Sequence, residues 1–198
     1  YGTPTTLALE EWIKEIENGY RTIATSSGMS SISVSLLSCL SKDDRCLISD
    51  CTYYPTKKFA TKILSKFGVE TSFYDPSNLD TLKKKITKKT KVIFMESPAS
   101  LTFEIEDMSE IIKIAKKKKI ITIVDNSWAT PFYFSPINIG IDISILAATK
   151  YISGHADTML GLITVKNEKL FLKIKDTAVS LGDCPGPQEC YLSLRGLR

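Results

Sequence analysis

The chain predicts an α/β protein with a mainly parallel sheet covered by helices on both faces. Two observations carry this. Short β-branched, apolar runs such as Ile120–Val124 and Asp142–Ala148 end abruptly on polar residues, as strands buried on both faces do. Such runs also alternate with amphipathic segments through short connections, the pattern of helix-covered parallel sheets.

The elements follow in order. Leu9, Trp12, Ile13 and Ile16 recur at helical spacing, with Gly19 placed as a C-terminal stop. Arg21–Ser26 is strand-like, Met29–Leu40 helical, Arg45–Ser49 strand-like and Pro55–Phe67 helical. Val69–Tyr74 reads as a strand, Leu79–Ile86 as a helix, Lys91–Glu96 as a strand and Met108–Lys118 as a helix. The two apolar runs above come next, then a last strand, Leu162–Val165, and a helix over Lys169–Leu181. No repeat or long linker divides the chain, so all 198 residues are expected to form one domain.

Composition narrows the function classes. The hydrophobic fraction of 43% and the charged fraction of 24% are those of an ordinary globular protein. The net charge of +4 is mild. The lysine clusters at 83–85, 88–89 and 116–119 lie in helix-like segments without interleaved aromatics, so they read as solvated helix faces and ends rather than a nucleic-acid surface. Five cysteines without a CxxC pair fit free thiols in a reducing cytoplasm. A single histidine, His155, gives no basis for a histidine-rich metal site. No apolar stretch reaches membrane-spanning length, and no signal peptide opens the chain. Tyr1 at the start and Leu194–Arg198 at the end resemble the interior of a longer protein.

The chemistry gathers where strands end. Open α/β sheets bind ligands at the carboxyl ends of their strands. Asp125 closes one run and Thr149-Lys150 another. A lysine and an acid meeting there suit pyridoxal phosphate: the amine condenses with its aldehyde, and the carboxylate keeps its ring nitrogen protonated. An amine attacks only when neutral, so a desolvated, cation-lined pocket is the expected setting. Thr25-Ser26-Ser27-Gly28-Met29-Ser30 turns from strand to helix, where small residues let a phosphate approach backbone N–H groups. Tyr53 follows another strand on the same edge, placed to stack on a planar ring. Glu96-Ser97-Pro98 ends a further strand, and the proline tips the next loop toward the site.

Taken together, Ser26-Ser27-Gly28-Met29, Tyr53, Glu96-Ser97-Pro98, Asp125–Ala129 and Ala148–His155 resemble the Cys/Met-metabolism family of pyridoxal-phosphate enzymes. The resemblance extends through Gly182–Pro187 to Arg198, the end of that family's large domain. It implies Lys150 as the Schiff-base lysine and proton shuttle, Asp125 as partner of the ring nitrogen, and Tyr53 as the stacking ring and an acid/base. It implies Gly28, Met29 and Thr149 as phosphate ligands. The implied reaction is α,β-elimination from cystathionine or a related sulfur amino acid. A γ-lyase, γ-synthase or racemase of the family, or a non-catalytic remnant, are the alternatives.

The resemblance further implies a homo-oligomer, tetrameric in the intact family, with no nucleic-acid or membrane partner. Three departures qualify it. Relatives carry serine where Ala147 stands, so one phosphate hydroxyl is missing. Ser100 replaces the asparagine of γ-type relatives and, with Trp128, points to the β-lyase branch. The family's Tyr-x-Arg phosphate clamp, donated by a neighbouring subunit, would precede Gly2, and Tyr1 is not assigned that role. The N-terminal arm and the C-terminal small domain, with the arginine that grips the substrate carboxylate, are expected to lie outside this chain. The chain alone is therefore expected to turn over weakly or not at all.

Overall fold

The computed structural model describes residues 2–198, so Tyr1 lies outside it. Helix α1 (Pro4–Glu17) starts on Thr3, whose hydroxyl accepts the Thr6 N–H, with Pro4 fixing the first helical φ. It stops one residue earlier than predicted. Asn18, at φ 54°, takes the left-handed position that Gly19 was expected to fill, and its N–H reaches back to the last turn.

Strand β1 (Arg21–Thr25) leads into helix α2 (Gly28–Cys39), and β2 (Arg45–Ser49) into α3 (Tyr54–Lys62). The predicted helix to Phe67 breaks at Ile63. A 3₁₀ turn over Leu64–Phe67 replaces its end and closes on Gly68 at φ 76°. Then come β3 (Glu70–Tyr74), α4 (Leu79–Lys85), β4 (Thr90–Glu96), α5 (Met108–Lys118) and β5 (Ile121–Asp125). Two single-turn helices, α6 (Thr130–Tyr133) and α7 (Pro136–Ile139), precede β6 (Ile143–Leu146). Strand β7 (Gly161–Val165), α8 (Glu168–Ser180) and α9 (Pro187–Gly196) complete the chain.

The sheet runs β1-β7-β6-β5-β4-β2-β3. Strands β3, β2, β4, β5 and β6 pair in parallel, whereas β7 is antiparallel to both β6 and β1. A loop rather than a helix joins β6 to β7, and only a helical crossover would have forced them parallel. Strand β6 is also shorter than its apolar run. The Ala147 N–H leaves the ladder and donates to the Ser127 hydroxyl at 2.7 Å, turning the chain toward Lys150.

Alternation along each strand builds a core on both faces. Val92 and Phe94 of β4 pack with Ile123, Ile48 and the α2 and α8 side. Ile93 and Met95 pack with Val124, Leu47 and the α5 side. A third cluster joins Leu9 and Ile13 of α1, Leu146 and Leu162 of the sheet, and Cys190 of α9. Each fully buried Ile, Leu or Phe contributes roughly 1.5–3 kcal/mol. That burial makes the strands continuous apolar runs. No helix among the described residues is long and apolar enough to cross a membrane.

One buried acid lies beneath this core. Glu17 is fully buried at the end of α1; one carboxylate oxygen accepts the Ser144 hydroxyl at 2.9 Å, while the other has no partner among the described residues. Burial pushes its carboxyl up to about 7, against the 4.5 of an ordinary glutamate. The folded chain therefore keeps this proton where the unfolded chain has released it. The resulting stability is complete below pH ~4.5 and declines as pH rises to ~7. Glu17→Gln should remove this slope, a difference on the order of 3 kcal/mol between pH 4 and 8. Denaturant unfolding of both proteins at the two pH values checks it; identical slopes would show that Glu17 titrates normally.

Candidate active site

The strand ends converge on a cavity of about 400 Å³. It is lined by Gly28 and Met29 of the β1–α2 turn, Tyr53 after β2, Glu96 and Ser100 after β4, Asp125 of β5, and Thr149 and Lys150 after β6. Every sequence-predicted site residue borders this one space.

The corner of the cavity at the start of α2 is shaped by close backbone packing. Ser27 caps α2 by accepting the Ser30 N–H at 3.0 Å, leaving the N–H groups of Gly28 and Met29 without partners among the described residues. A Cβ on Gly28 would come within 2.7 Å of the Ala147 Cβ. A Cβ on Gly161 would meet the Ser27 carbonyl at 2.1 Å, so the glycines let the helix start sit against the β6 turn. Free N–H groups at a helix start, in a cradle that a side chain would fill, suit a phosphate. Thr149 is less free than expected: its hydroxyl accepts the Leu160 N–H at 2.9 Å and donates to the Leu160 carbonyl at 3.2 Å.

Asp125 is buried in the far wall, and its Oδ1 accepts the Ser127 N–H at 3.0 Å. Burial raises its carboxyl above the usual aspartate value; the Ser127 donors and the Lys150 charge oppose that rise. A buried carboxylate facing a cavity is stabilised by a cationic partner such as a protonated ring nitrogen. Lys150 leaves the β6 turn, its N–H held by the Ala147 carbonyl at 3.0 Å. Its Nζ lies 5.8 Å from the Tyr53 ring centroid, so the amine and the ring face each other across the cavity. The following loop is braced by α9. The Gly196 backbone packs so tightly on the Ile152 and Ser153 carbonyls that a Cβ would approach both within 2.3 Å.

The setting of Lys150 departs from expectation in two ways. The lysine is exposed rather than desolvated. Glu96 and Asp125, not cations, share the described wall with it, and Lys150 is the one cationic side chain among the lining residues. The cavity is open above Tyr53, which is 44% exposed, so water reaches the amine.

The order and placement of these residues match a known family. A family model described as Cys/Met metabolism PLP-dependent enzyme matches residues 1–198. The chain belongs to this family. A relative from Saccharomyces cerevisiae is 41% identical over 197 residues, all of this chain and 58% of its own length. Cystathionine beta-lyase MetC of Bacillus subtilis is 39% identical over 197 residues, 50% of its length. An L-alanine/L-glutamate racemase of Wolbachia pipientis is 37% identical over 197 residues, 48% of its length. The chain thus spans about half the length of the curated relatives it matches.

Within this Cys/Met-metabolism fold, sequence reasoning did not assign roles to Ser127, Ser100 or Glu96. Ser127 holds both Asp125 and the Ala147 N–H, and so couples the acid to the lysine turn. Its position two residues beyond a strand-ending acid was the available signal. Pro98 borders a different cavity, beside Ile105 and Met108, so Ser100 rather than the proline reaches the site.

Proposed function

We propose that this chain holds the cofactor-binding part of a pyridoxal-phosphate-dependent carbon–sulfur lyase acting on cystathionine or a related sulfur amino acid by α,β-elimination. The observation that carries this reading is that Lys150, Asp125 and Tyr53 border one cavity with a free helix start at its corner. The family and the name of the Bacillus subtilis relative support the reaction class.

When bound, the cofactor supplies an aldehyde for the lysine and a ring that accepts electrons from the substrate Cα. The chain's own residues do the rest. The Gly28 and Met29 N–H groups hold the phosphate, and Thr149 supports the corner through its bond to Leu160. Asp125 would accept a hydrogen bond from the ring nitrogen and keep it protonated, and Tyr53 would stack on the ring with its hydroxyl available as an acid/base. Lys150 Nζ would hold the cofactor through its aldehyde carbon until the substrate amine displaces it, and the freed amine would then take the Cα proton. The electron pair left at Cα would close a Cα–Cβ double bond as the Cβ–S bond breaks, sulfur would leave as a thiolate and then take up a proton, and hydrolysis of the remaining enamine would yield pyruvate and ammonia.

Racemisation is the second reading, favoured by the Wolbachia relative. It begins with the same proton removal but returns a proton to Cα with the sulfur bond intact. We place the protein in a homo-oligomer, since exposed Phe103, Phe132 and Tyr133 gather around Trp128, which borders the cavity, as an apolar surface. Its five free cysteines suit a reducing cytoplasm.

Pyruvate release from L-cystathionine, run beside D-alanine formation from L-alanine, tests the reading. Pyruvate without D-alanine is expected from the full-length enzyme, and turnover at least tenfold lower from residues 1–198 alone. D-alanine without pyruvate would move the protein to the racemase reading, and neither product to the non-catalytic one.

A further inference from the structure

One buried acid in the cavity wall has no part in that chemistry. Glu96 ends β4 directly opposite Asp125 in the parallel register and is 7% exposed. Its Oε2 accepts the backbone N–H of Tyr53 at 2.7 Å, and its Oε1 accepts the Ser100 hydroxyl. Tyr53 caps the start of α3 without a side-chain bond of its own. Its carbonyl accepts the Thr56 N–H at 2.9 Å. The two backbone polar groups of Tyr53 are therefore fixed from opposite sides, one by α3 and one by Glu96. The ring between them faces Lys150 Nζ at 5.8 Å.

We propose that Glu96 is a positioning residue whose carboxyl pins the Tyr53 backbone, and so aims the ring, while tethering the Ser100 loop to the same point. Its role toward the cofactor rests on the function proposed above; the pin itself does not. The neighbours fit a fixed acceptor better than a mobile base. The Glu96 N–H donates to buried Glu106 at 3.3 Å, which locks the strand end from below. Burial, then the Asp125 charge, push the Glu96 carboxyl up to about 7, opposed by the hydrogen bonds from Ser100 and the Tyr53 N–H and, less, by the Lys150 charge. The Tyr53 N–H needs only an oxygen to accept it, so an amide can replace the acid. An apolar side chain of similar size cannot, and would leave a donor unpaired.

Four variants of the full chain separate this from general destabilisation: Glu96→Leu, Glu96→Gln, Tyr53→Ala and the double variant of Tyr53→Ala with Glu96→Leu. Amide exchange at Tyr53, measured without cofactor, should speed up at least tenfold in Glu96→Leu and stay within about threefold of wild type in Glu96→Gln. Affinity for pyridoxal 5′-phosphate should fall about tenfold in Glu96→Leu, equivalent to ~1.4 kcal/mol. It should hold within about threefold in Glu96→Gln. In the Tyr53→Ala background, adding Glu96→Leu should cost no further affinity, because the ring it aims is gone. Unchanged Tyr53 exchange in Glu96→Leu, additive losses in the double variant, or a tenfold loss in Glu96→Gln would each overturn the proposal. Should Glu96→Leu not fold, Glu96→Ala takes its place in each comparison with the same expected and overturning results. If exchange behaves as expected while wild type binds no pyridoxal phosphate, the proposed function falls and the pin stands.

Discussion

If the proposed function holds, Asp125→Asn should slow β-elimination about tenfold to a hundredfold while leaving the fold in place. The amide nearly matches the carboxylate in shape, and its oxygen can still accept the Ser127 N–H that now holds Asp125 at 3.0 Å. What it lacks is the charge. A buried, charge-assisted hydrogen bond contributes about 1.5–3 kcal/mol, and ~3 kcal/mol off a barrier is roughly a hundredfold in rate. Here the loss falls on the step that places electrons in the ring, so kcat should carry it. Pyruvate formation at saturating substrate, with unfolding midpoints measured in parallel, separates chemistry from stability. Turnover within threefold of wild type would remove Asp125 from the mechanism.

Lys150→Ala should be more severe still. In the proposed mechanism the same amine holds the cofactor and moves the Cα proton, and positioned acid–base catalysis alone contributes roughly a hundredfold to ten-thousandfold. Lys150→Arg distinguishes chemistry from charge. Arginine keeps a cation facing the Tyr53 ring, now 5.8 Å from Nζ, but it stays protonated and cannot condense with an aldehyde. Both variants should therefore lose at least a thousandfold in pyruvate release. Substantial turnover in Lys150→Arg would mean that Lys150 acts only as a positive charge.

Much of this site was legible because strand ends are visible in sequence. The buried strands announce themselves as β-branched runs, and the residue that stops each run lands on one sheet edge. Asp125 and Lys150 were found in that way, and Gly28 by the small-residue turn after β1. The misses share a physical cause: they depend on what lies across space. Asn18 outcompeted Gly19 as the left-handed cap, a choice settled within one residue of the helix end. Helix α9 carries no clear apolar period, and its partners are Leu9 and Ile13 at the other end of the chain. The antiparallel run of β7 follows from a loop that merely resembles the other connections in length. The bond from Glu96 to the Tyr53 N–H joins residues 43 positions apart, and local pattern carries no trace of it. The acidic wall around Lys150 was missed because Glu96 read as a strand terminator rather than a lining group.

Of the many lysines in this chain, the proposed mechanism requires that Lys150 be the one that bonds to pyridoxal phosphate. Incubating the chain with the cofactor, reducing with borohydride and mapping the phosphopyridoxyl group by peptide mass spectrometry tests it directly. Near-stoichiometric label on Lys150, abolished in Lys150→Ala, is the expected result. Label spread over the exposed lysines at 83–85 and 116–119, or a different single lysine carrying it, would contradict the assignment on which the mechanism rests.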